Sequence, residues 1–334
     1  VSMFTALVIT RLIMNGFYGV GLNKEKFYGR AKARKTLDIV SKKWIFVAIS
    51  AVLVLSAPVL MLVNNASIGH PLNFSLEFLG GTSTTVDIGE DMTLDRLESE
   101  VKPLVADITK DNAINISNVE GSKVNIRTRE LSLDEREQLT SVLEDKYGLT
   151  TEAIEMENIS ATISNEMQAD AIWASVIALI CMLLYIWVRF RDVRFGAASV
   201  IALLHDALVI VACYAVTRIS VGGTFIAAIL TIIGYSINAT IVIFDRIREN
   251  LRTAGKTSLE DIVNKSVTQT LSRSVFTSLT TFITVLMLYI LGVASIRDFA
   301  LPLMVGVICG TYSSIFLAGN LWYLFRQIKG KSKA

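Results

Sequence analysis

Six apolar runs, each close to the ~20 residues that carry an α-helix across a bilayer, set the limits on what this chain can fold into. They run approximately over Trp44–Val63, Ala171–Val188, Gly196–Thr217, Thr224–Phe244, Val275–Ala294 and Phe299–Phe325. With 52% of the 334 residues hydrophobic and 19% charged, a single water-soluble domain is excluded. A shorter apolar stretch, Val1–Met14, has no basic leader before it and no small-residue cleavage site after it. It is expected to be the end of a preceding membrane helix, residues 1–15, rather than a signal peptide.

The small net charge of +2 hides a sorting of charge by segment. Lys and Arg crowd residues 16–43, Arg189–Phe195, Asp245–Arg273 and the tail 326–334, whereas most of the acids lie between Leu72 and Asp170. Basic connections mark the cytoplasmic side of a membrane protein, so these alternate segments, the C-terminus included, are expected there. The acidic segment, residues 64–170, then lies outside the cytoplasm, between a first span (44–63) and a five-helix bundle (171–325). The expected location is the cytoplasmic (inner or plasma) membrane.

Within the acidic segment the periodicity switches between strand and helix. Strands are expected at Thr84–Ile88, Ile114–Val119, Val124–Arg129 and Ala153–Ile159, with helices at Leu94–Ile108 and Leu133–Tyr147. That β-α-β-β-α-β order predicts a ferredoxin-like α+β domain. Thr93 and Ser132 are candidate N-caps, and Glu120-Gly121-Ser122 a hairpin turn. The segment holds no metal-ligand cluster, phosphate-cradling loop or nucleophile-base pair. The fold class predicted for the whole is an α-helical polytopic membrane protein carrying one such domain.

Ionisable groups inside a bilayer are costly and therefore functional candidates. His205 and Asp206 interrupt a run of Ala, Leu, Val and Ile. They are either a structural pair satisfied by Ser or Thr of a neighbouring helix or a site of ion coupling or gating, since His titrates near neutral pH. Tyr235, Ser236, Asn238 and Thr240 cluster on the next span, followed by Asp245-Arg246-Ile247-Arg248-Glu249 at its edge. On the fifth span Arg273, Thr277, Thr280, Thr281 and Thr284 share one face by helical spacing and should meet other helices or a hydrated crevice. Arg273 could also snorkel to the interface. Cys181, Cys213 and Cys309 lie in apolar runs and are expected to be small buried hydrophobes. Neither a catalytic residue nor a metal site nor a cofactor is expected.

The run Gly234-Tyr235-Ser236-Ile237-Asn238, continued by Phe244-Asp245-Arg246-Ile247-Arg248-Glu249-Asn250, resembles the signature of SecF, the smaller half of the SecDF protein-export complex. His205-Asp206, Thr268-Gln269-Thr270-Leu271 leading to Arg273, Gly310-Thr311 with Ser313-Ser314, and Phe78 with Gly80-Gly81-Thr82 resemble further SecF motifs in the same order. Phe4-Thr5-Ala6 with Thr10-Arg11 resembles the close of the last SecD helix. The resemblance implies membership of the resistance-nodulation-division (RND) superfamily. It also implies an accessory role beside the SecYEG channel, driven by proton or sodium flow, with a SecD half, and YajC and YidC as further partners, acting on unfolded exported polypeptide. No nucleotide is consumed by this part and no enzymatic reaction is implied.

Two departures stand out. Where the family has an aspartate after Gly-Tyr-Ser-x-Asn, paired with the arginine matching Arg273, this chain has Ala239, which cannot carry a proton. Leu76-Glu77 stands where the family tends to have Gly-x-Asp. Competing readings are an RND-type lipid or small-molecule transporter, against which the modest size of the outward domain argues, and a translocon assembly partner without ion coupling.

Overall fold

A computed structural model describes residues 4–22, 35–89, 94–111, 114–118 and 122–331. The chain divides into two units, 1–37 and 38–334. In the first, a π-helical turn Thr5–Ile9 leads into helix α1, Thr10–Gly19, which runs past the expected end at residue 15. The basic residues 23–34 lie outside the described residues.

The second unit holds six helices long and apolar enough to span a membrane: α2 (Lys43–Ile68), α7 (Ala161–Phe190), α8 (Val193–Thr217), α9 (Gly223–Arg252), α10 (Leu259–Leu291) and a compound sixth. The sixth is α11 (Ala294–Tyr312), a π-helical segment Ser313–Ala318, and α12 (Gly319–Lys331). All six expected spans are present, and several extend beyond their apolar runs because polar caps, not the bilayer edge, end them. Ser160 accepts from the Ile163 amide at the start of α7, Asp192 from Arg194 at α8, and Ser258 from Asp261 at α10. α10 stops at Leu291, short of the expected Ala294, because Gly292 leaves helical geometry.

Between α2 and α7 lies the α+β domain. After a short helix α3 (Leu76–Leu79) come β1 (Gly81–Asp87), α4 (Leu94–Glu100), α5 (Lys102–Thr109), β2 (Asn115–Asn118), β3 (Lys123–Thr128), α6 (Leu133–Tyr147) and β4 (Ile154–Ile159). The sheet order is β2-β3-β1-β4, antiparallel throughout, which is the ferredoxin-like arrangement the period reading anticipated. The single helix expected over Leu94–Ile108 is instead two, because Pro103 cannot donate to the preceding turn and so opens a new helix. Alternate β3 side chains face inward, where Val124 and Ile126 meet Leu97, Leu139 and Leu143, each fully buried and worth about 2 kcal/mol. Ser132 caps α6 with a full capping box to Glu135. Thr93, expected to cap the first helix, and Glu120-Gly121 of the expected hairpin lie outside the described residues.

A linker ties this domain to the membrane bundle. Phe74 bridges Val221 in parallel, with Ser75 N–H donating to Val221 O (2.9 Å) and Val221 N–H to Asn73 O (2.7 Å). Arg127 of β3 donates to Asn73 Oδ1 (3.2 Å) and Phe74 O (3.1 Å), and Asn73 in turn donates to Arg218 O (2.9 Å). Glu77 accepts from the Gly223 amide at the first turn of α9 (2.5 Å), where the helix dipole favours an anion. The family-motif residue Gly81 has φ +109, and a Cβ there would run into the Thr128 carbonyl of the neighbouring strand, so only glycine fits. Gly80 also sits at positive φ, and Phe78 is buried in the domain-side core of the bundle.

Candidate functional site

Two apolar clusters fill the bundle. One, toward the end away from the α+β domain, stacks Phe195 on Trp322 and packs Phe190 and Phe244 against them. The other, near the domain, centres on Ile210, Tyr214, Ile232 and Leu303. Asp206 lies between them on α8, with no exposed surface, and His205 beside it is 3% exposed.

Polar side chains from four segments, α8 itself among them, converge on this carboxylate. His205 Nδ1 is 3.0 Å from Asp206 Oδ1, a contact in which an ionised carboxylate accepts from Nδ1–H. Ser236 of α9 donates to Oδ2 at 2.5 Å, and Ser313 of the π segment donates to the same oxygen at 2.8 Å. Cys309 of α11 points its thiol at Oδ1 (3.5 Å) and lies 3.7 Å from His205 Nδ1. The Tyr312 ring stands 6.1 Å from the imidazole, and His205 Nε2 has no partner among the described residues. A buried polar network of this kind is tolerated only because nearly every member is satisfied.

The π segment makes the arrangement possible. A widened turn at Ser313–Ala318 lets the adjacent Ser313 and Ser314 both enter the core. Ser314 lies 2.9 Å from the Thr240 hydroxyl and donates to Ser236 O (3.2 Å). Close approach of α11 to α9 is set by small residues: a Cβ on Gly310 would lie 3.1 Å from Ser236 Cβ, and one on Gly306 would strike Ile232.

The candidates named from sequence separate into groups. His205, Asp206 and Ser236 form the buried cluster, and Thr240 joins it through Ser314. Tyr235 turns the other way, donating to Ser278 (3.0 Å), which also receives Thr311 (2.6 Å). Asn238 and Gly234 are exposed on the outer face of α9, and Ala239 is half-buried. Asp245 pairs with Arg189 (2.7 Å) and Arg246 with Glu249 (2.5 Å), both partly exposed. Arg273 and Thr277 are exposed on α10, and Arg273 makes no ion pair or hydrogen bond among the described residues.

Two expectations change and one narrows. The Arg273–Thr284 stripe does not meet helices of this chain: Thr280, Thr281 and Thr284 bond back to carbonyls of their own helix, while the opposite face, with Ser274 and Ser278, packs inward. Cys181 is exposed and Cys213 half-buried, because their helix faces are not covered by this chain. Cys309, expected only to fill space, touches the charged cluster. With His205 and Asp206 it brings three possible metal-donor atoms within 4.8 Å of one another, here bonded among themselves. Ser313 was visible as a motif residue but not as a ligand of Asp206, since only the π turn aims it there.

Six spans, an α+β domain inserted after the first, and a buried charge cluster between helices define a polytopic membrane protein of the transport type. The family described as "Protein export membrane protein SecD/SecF, C-terminal" matches residues 138–328. The protein translocase subunit SecF of Sebaldella termitidis is 36% identical over 262 residues, covering 78% of this chain and 84% of the relative. SecDF of Bacillus subtilis is 34% identical over 304 residues, 88% of this chain and 39% of its own length. The crystal structure of SecDF from Thermus thermophilus superposes with a TM-score of 0.81 at 29% identity, over 98% of this chain and 43% of that one. The chain belongs to the SecF family of protein translocase subunits, membrane proteins of the Sec pathway without enzymatic activity. It spans less than half the length of the fused SecDF chains it matches.

Proposed function

We propose that this chain is the SecF part of a SecDF complex that assists SecYEG-dependent translocation with an ion gradient, and that its own coupling carboxylate is Asp206. The observation that carries this is the burial of Asp206 under donors from its own helix and three other segments. An ionised carboxylate is acceptor only, whereas protonation turns one oxygen into a donor. Ser236 and Ser313 both donate to Oδ2, so proton uptake there forces one of them to reorient. Because they sit on α9 and on the π segment, a single proton changes how two helices are held to α8. α9 begins at Gly222-Gly223 under the Glu77 carboxylate, so a shift of α9 reaches the linker and the α+β domain.

Arg273, exposed and without a counter-ion among the described residues, fits a face that meets the SecD half and a carboxylate there. The basic residues Arg189, Arg191 and Arg194 support a cytoplasmic placement of that end and an extracytoplasmic α+β domain. α1 fits the close of the last SecD helix. YajC and YidC are further partners, and the substrate is emerging unfolded polypeptide. In a strain lacking the gene, precursors of secreted proteins should accumulate, restored by the wild-type chain and not by Asp206→Asn. Normal precursor processing with altered lipid or drug efflux would favour a small-molecule transporter instead.

A further inference from the structure

α7 meets the rest of the bundle closely at its ends and, between them, only along a narrow face where Leu179 and Met182 pack on the core, which leaves a gap beside its domain-side half. Its buried side chains are Ser164 near the start and Ile186 and Phe190 near the end, while Ile172, Val176, Ile177, Ile180 and Leu184 between them are exposed. The domain-side part of this gap is an open cavity of about 530 Å³ lined by Phe78, Leu79, Ile172, Val176, Phe225 and Ile226, with Ser175 and Gln168 its polar margin. Ser175 is satisfied by Ala171 O, and Gln168 by Phe78 O.

The wall of this cavity on α7 begins at Ala171, the first residue of the apolar run, so the cavity lies at the depth of acyl chains. Water has nothing to bond there and a bilayer leaves no void of this size. A helix of a partner is the less suitable filler: between Ile172 and Ile180 the exposed α7 side chains are aliphatic or Trp173, whereas the unmatched polar face, with Arg273, is on α10.

A second cavity, of about 650 Å³, shares Leu72, Phe74 and Leu79 with the first and carries His70, Arg127, Arg129 and Arg218. Glu135, at 2.5 Å, and Asp111 balance Arg129. Arg127 donates only to Asn73, Asn125 and the Phe74 carbonyl, and Arg218 to the carbonyls of His70 and Pro71. Neither has a carboxylate partner among the described residues. Burial without an anion holds the Arg127 pKa below the ordinary arginine value. An apolar slot at acyl depth thus adjoins two arginines that make no ion pair among the described residues, with Glu77, Glu155 and Glu157 lining a separate cavity on the other side of Arg127.

We propose that the two cavities together bind one anionic phospholipid of the domain-side leaflet, an acyl chain lying between α7 and α9 and the phosphate at Arg218 and Arg127. Both arginines also hold the linker, so the lipid contacts the segment through which the α+β domain is attached.

The full chain in nanodiscs is to be photolabelled with phosphatidylglycerol carrying a diazirine midway along one acyl chain, and the labelled peptides mapped. Label is expected on Ile172–Leu179 and on Phe225 and Ile226, displaced by unlabelled phosphatidylglycerol in preference to phosphatidylcholine. Arg218→Gln should weaken that preference about five-fold, the loss of one basic residue's pull on an anionic lipid. Val176→Trp should remove the α7 label. Because the lipid competition needs no variant, a misfolded mutant does not decide the matter. Equal displacement by both lipids, or label spread evenly along α7 through Leu183 and Trp187, overturns the proposal in favour of ordinary annular lipid. Loss of label on adding the SecD half overturns it in favour of a protein interface.

Discussion

The Ser236 hydroxyl donates to Asp206 Oδ2 across the α8–α9 contact at 2.5 Å, with neither residue exposed to solvent or lipid. A hydrogen bond to a charged group contributes about 2 kcal/mol. Ser236→Ala is therefore expected to destabilise the bundle by about that amount, and to reduce gradient-dependent export while leaving basal export in place. Thermal unfolding in detergent, paired with vesicle translocation, measures both. An unchanged unfolding midpoint would show that this bond is not formed.

Gly310 lets α11 lie against that serine, since a Cβ there would sit 3.1 Å from Ser236 Cβ and 3.3 Å from its Oγ. Gly310→Ala is expected to cost about 1–3 kcal/mol by overpacking. It should also lower gradient-dependent export, because the displaced group is the ligand of Asp206. Gly306→Ala, which strikes Ile232 one turn before Ser236 rather than Ser236 itself, should cost similar stability with a smaller effect on coupling.

Arg129 and the Ser132 amide hold Glu135 at a pKa of about 2, against 4.5 for an ordinary glutamate. A carboxyl whose folded pKa is depressed adds stability above its unfolded pKa and loses it as pH falls toward the folded one. Protection of the first-turn α6 amides should thus be complete above pH 4.5 and decline between pH 4.5 and 2. Glu135→Gln should remove this pH dependence. Hydrogen exchange in the intact chain reads it directly, and a flat wild-type profile would contradict the assignment.

Much of this was legible beforehand, for reasons tied to particular residues. Strand and helix periods gave the α+β domain because Val124, Ile126, Leu139 and Leu143 obey the spacing that burial imposes. His205 and Asp206 stood out because charge in an apolar run is rare. The other ligands did not. Ser313 reaches Asp206 only because a π turn re-aims it, and Cys309 is chemically silent until the fold places its thiol beside a carboxylate. For the α10 stripe, helical spacing shows that the residues share a face but not which helices that face meets.

Arg273 lies on that outward face and bonds to nothing among the described residues. Arg273→Gln should leave the unfolding of this chain within about 0.5 kcal/mol of wild type. In complex with the SecD half the same change should abolish stimulation by the gradient. A large loss of stability in the isolated chain would place its partner within this chain instead.

The most direct test is translocation of a secreted precursor into vesicles carrying the chain with its SecD half, run with and without an imposed proton or sodium gradient. Asp206→Asn keeps the shape of the side chain but removes the titrating group, and Ala239→Asp restores a carboxylate after Asn238. Asp206→Asn is expected to leave gradient-independent translocation intact and to abolish the gradient-dependent increment, while Ala239→Asp preserves or enlarges it. If the increment survives Asp206→Asn unchanged, the coupling carboxylate is not in this cluster and the account given for Asp206 is wrong.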